Sequence, residues 1–543
     1  MKRLFSFVLA LCISAALFAN PPALTQDTAS LPNTDIKNII VMIPDGMSVD
    51  GLALARWYKA YNSASKTVDT SVTLTLDELA SGLVRTWWSD GKIIGAVVDS
   101  APAATAYASG IKTNDKFVGV TPESIPVATI LEAARLIGKS TGIIATSNIQ
   151  HATPAGYSSH YNDRSKYDII GEQQAYNGID IVMGGGSMYL ISPYRKDSEN
   201  IIDEIKAMGY QYITTRSELI AIKSGRIWGM FAPDAMAYDM DRAETTNTEP
   251  SLAEMTAKAI ELLSQNANGF FLMVEGSKVD WTAHANDPVG LISDILAFDA
   301  AVKVALDFAK TNQNTMILIM SDHGNGGITI GNTSTDSSYS KDPVEKFIVP
   351  LKKATLTGEG VAKKFNANRT NIAEVMTRYF GLDDLSAEET AAIRATKSED
   401  MNYTVGPMIS KRAALGWTTT GHTGEEVNLF SYLPGNGRIV GTLDNTDIAH
   451  ICAGVWGINL AEVTKQLYND AEPAFKAKGA AVEIDSSVQS GGVITIRKGS
   501  VTLVIHENKN YVLRNNQKVG IKSIIVHQDG KFYVPQEVLD MIQ

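Results

Sequence analysis

The chain has 543 residues, of which 44% are hydrophobic and 20% are charged, and its formal net charge is −11. This size and composition are typical of a globular protein with a large core and about two to four domains. The acidic balance argues against nucleic acid as a partner, and any anion-binding site must carry its own positive charge.

The first 19 residues have the pattern of a secretory signal peptide. Two basic residues precede an apolar stretch from Leu4 to Ala19, and Ala19 is a small residue at a plausible cleavage point. We therefore expect an exported protein, periplasmic or extracellular. No later segment is long and apolar enough to span a bilayer, so no transmembrane segment is expected after cleavage. Cys452 would then be the single cysteine, which excludes a disulfide within the chain.

Short apolar segments recur along the chain and alternate in part with segments of helical spacing. The apolar segments are Ile36–Ile43, Ile93–Val98, Gly142–Ala145, Ile179–Met183, Phe270–Val274 and Met316–Met320. The segments with helical spacing are Ile125–Leu136, Ser251–Leu263 and Leu291–Phe308. This alternation predicts an α/β fold in which a central, mostly parallel β-sheet lies between layers of helices.

Polar residues that can do chemistry follow five of these segments, at the point where each strand should end. They are Asp45, Asp99 with Ser100, His151 with Thr153, Glu275, and Asp322 with His323. In open parallel sheets, binding and catalytic sites lie at the carboxyl ends of the strands. We therefore expect these side chains to converge on one site.

Ser100 lies in the stretch VVDSAPAATAYASG, residues 97–110, where an apolar segment meets an alanine-rich one. The pattern predicts strand, turn and helix, with Ser100 at the helix N-terminus. Two roles are open from this stretch alone. Ser100 could cap the helix, as serines commonly do, or it could be a nucleophile in a place where backbone N–H groups favour an anion.

Histidines and carboxylates recur at spacings that suit metal ligands. Asp280 and His284 stand four apart, on one face of a helix, while Asp322 and His323 are adjacent and His422 lies in a Gly-His-Thr-Gly segment. Imidazole with carboxylate and without thiolate suits catalytic zinc. Oxygen-only ligands suit a hard ion such as Mg²⁺, and the candidates are Asp45, Thr153 and Glu275.

Such ligands point to hydrolysis by two divalent ions, about 4 Å apart, that clamp the attacking and leaving oxygens of an in-line displacement. Ser100 Oγ would be the attacking oxygen. Arg164 follows shortly after His151–Pro154, and its guanidinium can hold two phosphoryl oxygens as a bidentate fork.

In these motifs the chain resembles the alkaline phosphatases, which are metal-dependent phosphomonoesterases. The resemblance covers roughly residues 36–470 and rests on several separated motifs in the family's order. They are Pro44-Asp45-Gly46-Met47, Asp99-Ser100-Ala101 with Ala104-Thr105-Ala106, His151-Ala152-Thr153-Pro154, Glu275-Gly276 with Asp280 and His284, Asp322-His323, and Gly421-His422-Thr423-Gly424-Glu425. It implies hydrolysis of small phosphate monoesters through a phosphoserine.

The resemblance also implies a role for each residue at a site with two zinc ions and one magnesium ion. Ser100 would be the residue phosphorylated, and Arg164 would bind phosphate. The first zinc would be held by Asp280, His284 and His422, and the second by Asp45, Asp322 and His323. Magnesium would be held by Asp45, Thr153 and Glu275. Asp99, His151 and Trp281 would lie beside the substrate or support its ligands.

Two positions depart from one well-known branch of the family. His151 stands where that branch has aspartate, and Trp281 stands where it has lysine. A histidine near the third metal site could recruit zinc or weaken magnesium. Loss of the lysine removes a positive charge near the phosphate, which should loosen the product.

The chain divides into three predicted regions. Residues 1–19 would be the signal peptide, and residues 20–470 the catalytic domain, with an insertion or cap at 324–420. Residues 481–543 alternate apolar and polar residues with Gly and Asn at the turns, which predicts a small β-rich domain. That domain is a candidate for attachment to the cell envelope. The family resemblance is also compatible with a homodimer.

Three other functions compete with this interpretation. A phosphodiesterase or nucleotide pyrophosphatase on the same scaffold would keep both zinc sites but lack the oxygen-only site. Glu275 and Thr153 supply that site and therefore disfavour this alternative. Ser100-Ala101-Pro102 also resembles the start of a sulfatase signal, but Ala104 stands at the required arginine. An inactive surface-binding homologue would be expected to lack ligands or the nucleophile.

Overall fold

The structure is a computed structural model that describes residues 35–245, 248–485 and 492–542. The predicted signal peptide, residues 1–19, lies outside these ranges. Within them, no helix combines the length and the apolar character needed to cross a membrane.

A ten-stranded sheet forms the centre of the molecule. Its strands in chain order are β1 (Asn38–Pro44), β2 (Ala80–Arg85), β3 (Ser140–Asn148), β4 (Ile181–Gly185), β5 (Gln211–Ile213), β6 (Ile227–Ala232), β7 (Phe270–Gly276), β8 (Thr315–Met320), β9 (Val427–Tyr432) and β10 (Gly441–Asp444). Their order in space is β10-β2-β9-β8-β1-β7-β3-β4-β6-β5. Pairing is antiparallel where β9 meets β8 and β2, and parallel at the other neighbours. The prediction of a central, mostly parallel sheet is confirmed.

β1 illustrates why the central strands are apolar throughout. Side chains along a strand point alternately to its two faces. Ile40 and Met42 pack in one hydrophobic cluster, whereas Ile39, Val41 and Ile43 pack in the cluster on the opposite face. Because helices cover both faces, the strand needs a continuous apolar run.

Helices flank the sheet and fill the long connections. They are α1 (Val49–Ala60), α2 (Ser100–Ser109), α3 (Ile130–Leu136), α4 (Ala152–Ser158), α5 (Tyr167–Tyr176), α6 (Ile201–Ala207), α7 (Arg216–Ala221), α8 (Asp239–Thr245), α9 (Leu252–Leu263), α10 (Lys278–His284), α11 (Pro288–Asn312), α12 (Val344–Ile348), α13 (Gly358–Ala362), α14 (Ile372–Val375), α15 (Ala387–Ala395), α16 (Met401–Arg412), α17 (Asn445–Val455), α18 (Leu460–Leu467), α19 (Ala471–Ala477) and α20 (Gln536–Leu539). The three helices predicted from spacing are present as α3, α9 and α11. α9 begins directly after Ser251, whose side chain accepts a hydrogen bond from the Glu254 N–H. α3 begins later than predicted because Thr129 caps it.

The strand predicted over Ile93–Val98 is wrong. Only Ile94–Gly95 is extended, and it pairs with Trp88–Ser89 in a two-stranded hairpin outside the central sheet. Ile93 is 59% exposed and Ile94 is 73% exposed, so this apolar run does not enter the core. The run contains Gly95, and a glycine inside a strand weakens it because it has no side chain to pack.

Residues 324–420 leave the central sheet between β8 and β9 and pack against one of its faces. Ile348, Leu351 and Met401 of this segment lie in the same hydrophobic cluster as Ile40 and Met42 of β1. A common core therefore joins the segment to the sheet. Its division from the catalytic region stays a prediction.

The C-terminal residues form a five-stranded antiparallel sheet. Its strands are β11 (Ala481–Asp485), β12 (Val493–Lys498), β13 (Val501–His506), β14 (Tyr511–Arg514) and β15 (Gln517–Gly520). Alternate residues such as Ile494, Ile496 and Leu503 pack with α19, α20 and Phe532 in a small core. The predicted β-rich character of this region is confirmed.

Candidate active site

Four neighbouring strands deliver their following residues to one edge of the sheet. β8, β1, β7 and β3 lie side by side, and all four run in the same direction. Asp45 follows β1, Glu275 lies at the end of β7, and Asp322 follows β8. Thr153 lies on α4, the helix that follows β3. The predicted convergence at the strand ends holds for these four connections. The fifth, to Ser100, comes from the hairpin described above.

Ser100 is the first residue of α2, and Asp99 is the cap. The Asp99 carboxylate accepts a hydrogen bond from the Ala101 N–H, and Ser100 itself is buried. The cap role considered for Ser100 is therefore filled by its neighbour. Ser100 Oγ lies 3.1 Å from His323 Nε2. The serine hydroxyl thus stands at a helix N-terminus, where an anion is favoured.

Asp45, Asp322 and His323 form one compact group. His323 Nε2 lies 3.4 Å from Asp45 Oδ1 and 3.4 Å from Asp322 Oδ2. His323 Nδ1 lies 3.2 Å from the Gly324 carbonyl, which can only accept, so Nδ1 carries the proton. The Nε2 lone pair therefore faces two carboxylate oxygens.

Asp280, His284 and His422 form a second group with the same arrangement. The Nδ1 atoms of His284 and His422 donate to the carbonyl oxygens of Thr420 and Val98, at 2.7 Å and 2.8 Å. Their Nε2 atoms then face each other at 3.2 Å, and His284 Nε2 lies 3.4 Å from Asp280 Oδ2. Lone pairs converge here, as at His323, and a bound cation would satisfy them.

Asp45, Glu275 and His151 form a third group, with Thr153 beside it. Both carboxylate oxygens of Asp45, both of Glu275 and Thr153 Oγ1 are buried without a hydrogen-bond partner. Buried acceptors of this kind are costly unless a donor or a cation meets them. The oxygen-rich group is therefore suited to a hard divalent ion.

Burial and mutual repulsion shift the pKa values of these side chains. Burial, reinforced by the charge of Asp322, raises the pKa of Asp45 well above its ordinary value and that of Glu275 to about 8. Burial, with His422 nearby, lowers the pKa of His323 to about 3. The carboxyl groups therefore tend to hold protons when no cation is present, and a bound metal ion would displace them, whereas the neutral imidazole of His323 is already in the form that binds metal.

Arg164 is held at the edge of the site by two partners. Its Nη1 donates to both carboxylate oxygens of Asp99, at 2.6 Å and 2.7 Å, and its Nη2 lies 2.9 Å from His151 Nε2. Burial alone would raise the pKa of Asp99, but the charge and hydrogen bonds of Arg164 outweigh it and lower the pKa to about 2. The guanidinium therefore has a fixed orientation beside Ser100.

Trp281 lies in the same cleft, in edge contact with His151 at 5.9 Å between ring centroids. Two neighbours of the site were missed from the sequence. Lys278 Nζ lies 3.7 Å from the Trp281 ring centroid, and Tyr403 of α16 lines the cleft. Lys278 could have been found from its place one turn before Trp281 on a predicted helix, whereas no sequence signal pointed to Tyr403.

Comparisons with known proteins point to one family. The family model described as alkaline phosphatase matches residues 36–457. Alkaline phosphatase 4 of Bacillus subtilis is 36% identical over 451 residues, which cover 81% of this chain and 93% of that protein. The repressible alkaline phosphatase of Saccharomyces cerevisiae is 32% identical over 504 residues, covering 83% of this chain and 86% of that protein.

Solved structures agree as well. The cold-active alkaline phosphatase of a Shewanella species matches with a TM-score of 0.68 and 29% identity, covering 77% of this chain and 99% of that one. The Thermus thermophilus alkaline phosphatase matches with a TM-score of 0.70 and 25% identity, covering 79% of this chain and 92% of that one. The chain belongs to the alkaline phosphatase family.

Proposed function

We propose that this chain carries out the phosphomonoester hydrolysis of its family by transferring the phosphoryl group first to Ser100 and then to water. The observation that carries the proposal is the position of Ser100 Oγ, which is 3.1 Å from His323 Nε2 at the N-terminus of α2. In the first step the Oγ–phosphorus bond forms and the bond to the ester oxygen breaks, which releases the alcohol. In the second step the oxygen of water bonds to phosphorus, the Oγ–phosphorus bond breaks, a proton from that water returns to Ser100 Oγ, and inorganic phosphate is released.

Three bound cations would complete this site. Asp280, His284 and His422 fit one zinc ion, because imidazole and carboxylate lone pairs converge there, and Asp45, Asp322 and His323 fit a second for the same reason. Asp45, Glu275 and Thr153 fit magnesium through their unpartnered oxygens. When bound, such ions stabilise the negative charge of the phosphoryl group during transfer and lower the pKa of bound water.

The protein's own groups bind and orient the substrate. Arg164 presents a planar fork that can grip two phosphoryl oxygens. Its anchors, Asp99 and His151, hold the guanidinium in one plane before substrate arrives. Trp281 forms a wall of the cleft without adding charge. These residues therefore recognise the phosphoryl group, which all phosphate monoesters share.

The direct test is the variant Ser100→Ala with p-nitrophenyl phosphate as substrate. We expect turnover to fall at least about 10³-fold, because the attacking oxygen is lost. Ser109→Ala, at the other end of α2, is the matched control and should keep activity. Zinc content should be unchanged in both variants. Retention of most activity in Ser100→Ala would identify another nucleophile.

A phosphodiesterase on the same scaffold is the competing function. Glu275 and Thr153, next to Asp45, favour the monoesterase because they add an oxygen-only site. Turnover of p-nitrophenyl phosphate should therefore exceed that of bis-p-nitrophenyl phosphate. The opposite ranking would favour the diesterase.

We also propose that the protein is exported, on the strength of the sequence pattern of residues 1–19. Sequencing the N-terminus of protein recovered from outside the cytoplasm should find a start near Asn20. An intact Met1 in that material would overturn the proposal.

A further inference from the structure

A loop of the C-terminal sheet packs against α5, the helix that follows Arg164. We define the brace loop as residues 507–510, which connect β13 to β14. Three consecutive residues of this loop, Asn508, Lys509 and Asn510, each bond to α5 or to a side chain on it. α5 begins at Tyr167, three residues after Arg164.

Lys509 makes the strongest of these contacts. It is buried, and its Nζ donates to Glu172 Oε1 of α5 at 2.6 Å and to Glu199 Oε2 at 2.7 Å. The same ammonium lies 4.6 Å from the centroid of the Tyr176 ring. A buried, charge-assisted pair of this kind has a defined geometry, so it fixes α5 relative to the C-terminal sheet.

Asn508 extends the contact to the start of the arginine loop, residues 159–166. Gln173 Nε2 of α5 donates to Asn508 Oδ1 at 3.1 Å. The same side-chain amide makes two hydrogen bonds with the backbone of His160. The His160 N–H donates to Gln173 Oε1 at 2.7 Å, and Gln173 Nε2 donates to the His160 carbonyl at 3.2 Å. Both ends of the arginine loop are therefore tied to α5.

A second point of contact lies inside the arginine loop. Asn162 Nδ2 donates to Asp529 Oδ1 of the C-terminal region at 3.2 Å. Asn162 stands two residues before Arg164, whose own N–H donates to the Lys116 carbonyl at 2.8 Å. Through these bonds the C-terminal region holds the loop before, and the helix after, the phosphate-binding arginine.

Glu172, Asp197 and Glu199 lie close enough together to form a cation site. Their charges are already met, because Lys509 binds both glutamates and Arg195 Nη2 donates to Glu172 Oε2 at 2.9 Å and to Asp197. These ion pairs indicate that the cluster holds two parts of the fold together and is not a site for a free cation.

We propose that the C-terminal sheet is an internal brace that positions Arg164, with Lys509 as its principal positioning residue. The proposal rests on the proposed role of Arg164 in binding phosphate. It gives residues 481–543 a role within the molecule, and envelope attachment stays a separate prediction. A guanidinium that must meet two phosphoryl oxygens at once tolerates little displacement of its backbone.

The test is a double-mutant cycle between Lys509→Met and Arg164→Ala in the full chain, with p-nitrophenyl phosphate as substrate and inorganic phosphate as inhibitor. We expect Lys509→Met to raise KM and the phosphate inhibition constant about 5- to 20-fold, with a smaller change in kcat and unchanged zinc content. Lys509→Arg should restore most of the affinity. In the Arg164→Ala background, Lys509→Met should have no further effect on KM.

Two controls separate the possible failures. Lys531→Met, an exposed lysine of the same region, should leave all constants unchanged. If Lys509→Met fails to fold, Lys509→Met with Glu172→Gln takes its place, because it removes one charge of each sign from the cluster and leaves buried Arg195 paired with Asp197. Equal losses in both Arg164 backgrounds, or none in either, would overturn the brace. An Arg164→Ala variant with normal KM would instead overturn the proposed role of Arg164.

Discussion

At the scale of single residues, His151 and Trp281 are two uncharged side chains in the cleft beside Ser100. His151 donates no charge to the third group, because burial, followed by the charge of Arg164, lowers its pKa well below its ordinary value. Trp281 presents an uncharged aromatic ring to the cleft, and Lys278 Nζ lies against that ring at 3.7 Å from its centroid. Both residues make the surroundings of phosphate less charged than lysine and aspartate would.

Trp281→Lys should therefore bind the product more tightly. An ammonium beside the phosphate adds an attractive charge, and we expect the phosphate inhibition constant to fall about 3- to 10-fold. Trp281→Gln, which removes the ring without adding charge, is the control. An unchanged or weaker inhibition constant in Trp281→Lys would count against this explanation of the cleft.

His151→Asp should change the metal preference of the third group. A carboxylate adds a hard oxygen donor beside Asp45 and Glu275, so magnesium affinity should rise about tenfold or more. Magnesium titration followed by activity and by elemental analysis measures this directly. Lower magnesium affinity in His151→Asp would show that the imidazole is not what limits that group.

At the scale of elements, the site depends on how closely β1 approaches α10. Gly46 follows β1 with φ +69°, a left-handed conformation that other residues adopt only under strain. A Cβ at this position would lie 2.7 Å from Asp280 Oδ1. The glycine of the Pro-Asp-Gly motif thus brings Asp45 and Asp280 together.

Gly46→Ala should lower the free energy of unfolding by at least about 1–2 kcal/mol and weaken zinc binding at Asp280. Gly51→Ala, inside α1, is the matched control, because its Cβ would meet neighbours only at 3.4 Å or beyond. That control should be neutral or slightly stabilising. Denaturant unfolding and zinc titration of both variants decide the matter. Equal stability in the two would remove the steric argument.

The elements also show how far sequence reasoning reaches. The motifs of Asp45, Thr153, Glu275 and Asp322 could be placed from their strands, because buried parallel strands are continuous apolar runs and their carboxyl ends meet at one edge. His422 has no such strand before it. Ile93–Val98 misled, since hydrophobicity alone does not distinguish an exposed hairpin from a core strand. Tyr403 and Lys509 could not be assigned, because their partners are distant in sequence and only the packed chain brings them together.

At the scale of the whole molecule, stability should depend on bound metal and on pH. The pKa of Glu275 rises from about 4.5 unfolded to about 8 folded, and that of Asp45 is also raised. In this interval the chelated folded protein holds more protons than the unfolded chain, so its stability falls as pH rises. Bound cations would take the place of those protons.

Chelation should therefore abolish activity and lower Tm, by a margin that grows between about pH 4.5 and pH 8. Thermal unfolding with and without chelator across this range measures the margin. A constant Tm difference, or none, would mean that the buried carboxylates do not hold the metal.

The central claim is that ligands distant in the chain gather three cations around Ser100 Oγ. The most direct test is elemental analysis of purified protein, with phosphomonoesterase activity measured on the same sample. We predict two zinc ions and one further divalent ion per active chain, with activity rising in proportion to zinc content. Full activity in protein without stoichiometric zinc would contradict the account.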